Sequence, residues 1–170
     1  MEEARVGHII TILSEMRQNL QEAFWNQFDE QYFENATLLS LIESMTITDF
    51  LLCLQEKTRT IGFLKDIFKK VDVILHPGCA VLAPKINPSY LKHGFTDTAL
   101  TGDIMRHAFL ANFAGNPAMA VPVGYSAQGL PIALQILGAW WQESTVLHVG
   151  RVAEEFLQQK ARPQVYFDLL

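Results

Sequence analysis

Basic residues are scarce. The 170-residue chain carries 13 lysines and arginines against 18 aspartates and glutamates, a net charge of −5 with histidine neutral. A nucleic-acid partner needs a basic footprint, and none is present. Nor is there a basic cluster to meet an anionic membrane surface. Cysteine is nearly missing. Cys53 and Cys79 make no disulfide framework, which predicts reduced thiols in an intracellular protein, cytoplasmic or peripherally associated with a membrane. No apolar run approaches the ~20 residues of a spanning helix, so no transmembrane segment is expected. Met1-Glu2-Glu3 lacks the basic start and apolar core of a signal peptide. Metal-type spacing is missing too. His76 and Cys79 have no matching second pair, so the expectation is a loop histidine, an unreactive thiol and no metal. Asp103 and His107 stand four apart, as a surface pair on one helix would.

Hydrophobic residues, by contrast, make up 49% of the chain, ample for one domain. Glu2 to about Phe24 reads as a helix burying Val6, Ile9, Ile10, Leu13, Met16 and Leu20. Asn26 to Asn35 reads as a loop and Leu38 to Met45 as a short helix. Thr48 is placed to cap a long helix reaching Lys70, with Leu51, Leu54, Ile61, Leu64 and Phe68 inward. Val71 to Leu75 reads as a strand closed by Pro77-Gly78. A long irregular segment, Val81 to Thr96, follows, and a helix from Thr101 to Asn112. Gly115 and Pro117 stop that helix. Ala118–Val123 and Leu130–Leu137 read as buried strands around a Ser126–Gly129 turn. Glu143 opens a last helix with Val146, Val149, Val152, Ala153, Phe156 and Leu157 inward, and Pro163 ends it.

These elements predict an α/β fold, a mixed β-sheet flanked by helices. Three apolar strands leave edges that folded proteins cover or pair. The expectation is therefore one partial domain over 1–170, belonging to a larger α/β layer, with its core motif region at 71–160.

Asn112, Gly115-Asn116-Pro117-Ala118, Val121-Pro122-Val123-Gly124 and Gly129 to Gln135, with Glu143 beyond, resemble the C-terminal part of the amidase-signature hydrolases, plant-type fatty acid amide hydrolases above all. Asp72 to Pro77, Ala83-Pro84 and Tyr166 to Leu170 extend the likeness, and Met1 to Met16 resembles a preceding helix of the family. It covers most of the chain, least between about Asn19 and Asp49. Two positions depart from the pattern. Ala133 stands where the family commonly has Gly, and Gly78 where a Thr commonly follows the proline.

The resemblance implies amide hydrolysis by a serine nucleophile, a second serine on a cis peptide and a lysine base, with backbone N–H groups holding the oxyanion and no metal or organic cofactor. A serine needs such a base to become nucleophilic. In the family those parts lie in the N-terminal half. Here Ser14, Ser40, Ser44, Ser89, Ser126 and Ser144 sit in no Gly-rich Ser-Ser or G-x-S-x-G context. The expectation is a chain without catalytic residues, inactive alone, that supplies framework and part of a substrate cavity. Candidate wall residues are Met105, Phe109, Phe113, Trp140 and Trp141, together with the loop 83–95. The implied substrate is a small acyl amide, such as a fatty acid amide or N-acylethanolamine. The implied partner is a missing N-terminal half or a second copy. Two other readings stand beside it, a non-catalytic interaction module and a fragment of an amidotransferase A-subunit type of amidase.

Overall fold

The computed structural model describes residues 1–20, 22, 26–27, 33–94 and 97–156. Along the chain lie α1 (Glu2–Asn19), α2 (Phe33–Leu41) running into a 3-10 turn (Ile42–Ser44), α3 (Ile47–Ile67), β1 (Val73–Pro77), α4 (Tyr90–His93), α5 (Thr98–Ile104), α6 (Phe109–Ala114), β2 (Ala118–Tyr125), β3 (Pro131–Gly138) and α7 (Glu143–Glu155). Of the expected loop at 26–35, residues 28–32 lie outside the described residues and Phe33 to Asn35 are instead the start of α2; Leu157, Pro163 and the tail 166–170 also lie outside the described residues.

The sheet has the order β1-β3-β2, and both pairings are antiparallel. The α/β class and the flanking helices are as the sequence predicts; among the described strands, none is parallel. Proline placement follows from this order. Pro77 and Pro122 lie on the two outer strands and Pro131 begins the central one, positions where a missing N–H costs no ladder bond. Val123 is bulged, since Pro122 pairs with Ala133 but Gly124 with Ile132. The hairpin turn closes with Ser126 N donating to Leu130 O at 2.8 Å, and Gly129 takes φ 79°, which glycine adopts freely.

Each face of the sheet meets a separate cluster. On one, Val121, Ile136 and Val146 bring α7 onto β2 and β3. On the other, Leu137 and Ile74 join Ala4, Leu64, Phe109, Leu110 and Phe113 from the helices. The second cluster covers only one end of its face. Ala118, Ala120 and Pro122 on the outer strand stay exposed, so β2 is not the doubly buried strand its apolar run predicts. An apolar run reports fitness for burial, and nothing among the described residues packs over that part of the strand.

Two helices bury faces other than those the periodicity predicts. In α1 the buried residues are Ala4, Gly7, His8, Thr11 and Leu13, while Val6, Ile9 and Leu20 are exposed. Ile10 and Met16 are half-buried. Close packing against α3 and α6 selects the small residues; a Cβ on Gly7 would stand 3.1 Å from Phe113 Cζ. In α3 the buried residues are Cys53, Thr60 and Leu64, with Ile61 and Phe68 half-buried and Leu51 and Leu54 exposed. Its cap is Thr46, two residues before the expected Thr48. Thr46 Oγ1 accepts from Asp49 N at 3.2 Å, and Asp49 Oδ2 accepts from Thr46 N at 2.8 Å, a reciprocal capping box. The single helix expected from Thr101 to Asn112 is instead two, α5 capped by Asp97 and α6 ending at Gly115 with φ 76°. In α7, Val146 and Gly150 are buried and Val149 and Ala153 half-buried, whereas Val152 and Phe156 are exposed.

Candidate functional site

The uncovered end of the sheet face defines the site. By register, His76, Gln135 and Ala120 form one row across it, and Ala133 and Pro122 belong to the next. The break between α5 and α6, at 105–108, stands at the β1 side of this shelf, since the His107 ring lies 5.8 Å from that of His76. Behind the break, a groove of about 370 Å³ is lined by Met1, Glu2, Arg5, Arg106, His107 and Phe109.

The five candidate wall residues divide into two groups. Phe109, Phe113 and Trp140 come together in the helix-side core, Phe109 and Phe113 fully buried and Trp140 partly so. Trp140 Nε1 donates to Ala114 O at 2.9 Å, which satisfies its one donor, and its ring meets Phe68 edge-on at 6.2 Å. Met105 and Trp141 are exposed, Trp141 at 88%. Trp141 also takes φ 64°, a left-handed conformation uncommon for a bulky side chain. The irregular segment after β1 holds exposed Ala83, Pro84 and Ile86 and one short helical turn, α4.

Local bonds hold the serines that the structure ties down. Ser14 donates to Ile10 O at 2.7 Å, Ser44 to Leu41 O at 2.8 Å and Ser89 to Asn87 Oδ1 at 2.9 Å. Ser126 Oγ accepts the backbone N–H groups of Gln128 and Leu130. Lys69, just past the end of the long helix, pairs with Asp66 at 2.7 Å on the surface. Asp103 pairs with Arg106 rather than with His107, because α5 ends between them. Burial, the neighbouring His76 and the Arg106 charge all hold the His107 pKa below its ordinary value. His107 is the residue of this region that spacing along the chain misses, since its neighbour His76 belongs to another element.

Known proteins resemble this chain in sequence and in fold. A fatty acid amide hydrolase of Medicago truncatula is 39% identical over 99% of this chain, which spans 28% of that protein. The A-subunit of a glutamyl-tRNA(Gln) amidotransferase from Prochlorococcus marinus is 36% identical over 58% of the chain and 20% of its own length. The crystal structure of an amidase superposes with a TM-score of 0.77 at 19% identity, covering 91% of this chain and 35% of that one. The chain thus spans under a third of the length of the curated relatives it matches. The amidase family model matches residues 9–147, and the chain belongs to that family.

Proposed function

We propose that this chain is the C-terminal part of an amidase that hydrolyses fatty acid amides or related N-acyl amines, and that the serine–serine–lysine machinery lies in an N-terminal portion outside it. The carrying observation is the extent of likeness. The fatty acid amide hydrolase is matched along 99% of the chain, the amidotransferase along 58%. The net charge of −5 also suits a small acyl amide better than a tRNA-linked reaction. In this reading residues 1–170 are one partial domain with its motif core at 71–160. The shelf of Ala120, Pro122, Ala133 and Gln135, with Met105 beside it, faces the substrate cavity. Phe109, Phe113 and Trp140 back that wall from the core, and Trp141 reaches outward to the remainder of the enzyme. The unpaired thiols Cys53 and Cys79 fit an intracellular setting, cytoplasmic or at a membrane surface.

A chimera tests the reading. In the Medicago enzyme the matching C-terminal segment is replaced by this chain, and hydrolysis of an N-acylethanolamine is assayed beside that of glutamine. Acyl amide turnover with a serine-directed fluorophosphonate labelling only the Medicago portion is the expected result. A folded chimera that cleaves glutamine and ignores acyl amides would favour the amidotransferase reading. Fluorophosphonate labelling of a serine of this chain, with turnover by the chain alone, would overturn the assignment of catalysis to another portion.

A further inference from the structure

Two histidines from different elements lie beside one another at the open end of the sheet. His76 stands on β1 and His107 in the break between α5 and α6, with ring centroids 5.8 Å apart and planes inclined at 42°. We propose that His76 and His107 form a two-histidine chelate for a first-row transition-metal dication, with water completing its coordination shell.

The tautomer of His76 is fixed by its neighbour. Its Nδ1 lies 3.0 Å from Pro77 O, and a carbonyl oxygen can only accept. Nδ1 therefore carries the proton and donates, leaving the lone pair on Nε2. A ring N–H held by a backbone carbonyl is the usual outer support of a metal-binding histidine. The spacing fits as well. A metal about 2.1 Å from a ring nitrogen lies about 3.2 Å from that ring's centre, so one metal can join rings whose centres are up to about 6.4 Å apart, and these two lie 5.8 Å apart. Two cations line the groove with His107, and each is paired, Arg106 with Asp103 and Arg5 with Glu2, which offsets their repulsion of a bound dication. Among the described residues no group of three His, Cys, Asp or Glu side chains converges, so the protein supplies two ligands and solvent the others. For such an imidazole site the order of preference is copper(II), then nickel(II) or zinc(II). The metal would tie β1 to the α5–α6 break at the edge of the shelf.

The untagged 170-residue chain is titrated with copper(II) and with zinc(II) at pH 7.5. The expected result is one copper per chain, an electron paramagnetic resonance spectrum with two imidazole nitrogens, and a Tm about 5 °C higher at a hundredfold excess over Kd. His76→Asn and His107→Asn each lower the affinity at least tenfold with the metal-free Tm unchanged, while His148→Asn leaves the affinity intact. Should a variant fail to fold, the wild-type chain alone decides. Substoichiometric copper must broaden the imidazole proton resonances of His76 and His107 before those of other histidines. Equal copper affinity in either folded variant, or broadening that begins at other histidines, overturns the proposal.

Discussion

Gly78 and Ala133 meet across the β1–β3 edge of the sheet. Gly78 N donates to Ala133 O at 2.8 Å, and a Cβ built on Gly78 would lie 2.9 Å from the Ala133 Cβ and 3.2 Å from its carbonyl oxygen. These are the two positions at which the resemblance implies a departure from the family pattern, Gly in place of Thr at one and Ala in place of Gly at the other. The missing side chain at Gly78 leaves room for the Ala133 methyl, so the two positions read as coupled. Gly78→Thr alone therefore costs about 2 kcal/mol through overpacking. In an Ala133→Gly background the same substitution costs at least about 1 kcal/mol less, a coupling that a double-mutant cycle in urea measures directly. Independent, additive effects would show that the contact carries no energy. Gly138 presents a harder constraint. Its added Cβ would meet Val146 Cγ2 at 2.5 Å, with Pro117 Cγ and Gln142 O at 3.5 Å. A β-branched neighbour has little freedom to withdraw, so Gly138→Ala costs about 3 kcal/mol in the same assay. At Gly150 the contact at 2.5 Å is the Met119 sulfur, which can rotate away, and Gly150→Ala is expected to cost about 1 kcal/mol.

Helix α1 carries a pH dependence into the core. His8 packs between Phe109 and Phe113, at 6.4 and 6.2 Å between ring centres, and burial holds its pKa below the ordinary value. The unfolded chain takes up a proton as the pH falls below about 6.5, while the folded chain resists it. Stability is thus unaffected by this group at higher pH and is lost as the pH falls through that window. His8→Leu, which keeps the bulk and removes the titration, flattens the slope of Tm between about pH 6.5 and 5. An unchanged slope would assign the pH dependence to other groups. At the start of α3 the sign is that of a carboxylate. Two bonds from Thr46 depress the Asp49 pKa, so its support of the cap is complete above the unfolded carboxylate range and is lost as the pH drops through the native value. The existence and order of the long helices are legible in the sequence because apolar spacing and turn residues mark them. Their buried faces are less so. Val6 and Ile9 look like core residues, yet Gly7, His8 and Thr11 take that place because a close helix approach rewards small side chains. In α3 the run Leu51-Leu52-Cys53-Leu54 offers an apolar side in every direction, and packing alone selects Cys53.

At the scale of the molecule, the sheet is the part with open edges among the described residues. Apolar runs bracketed by Pro and Gly reveal three strands in the sequence, and their small number already implies a larger layer. The order β1-β3-β2 is not legible there, because it depends on where the long segment between β1 and β2 returns. For the same reason the shelf and the meeting of His76 with His107 emerge only in three dimensions. Among the described residues both outer strands lie open along one edge, and apolar side chains stand exposed nearby, Leu75 at 53% and Ile132 at 44%. Open edges beside apolar surface pair with whatever strand is available. The isolated chain is accordingly expected to self-associate at micromolar concentration in sedimentation velocity, and Leu75→Lys to shift the distribution toward monomer by charging the β1 edge. Co-expression with the N-terminal portion of the Medicago enzyme should replace the self-associated species with a one-to-one complex. If the chain instead sediments as a single monomer and unfolds cooperatively with no partner, its edges need no cover and the reading as part of a longer amidase loses its physical support.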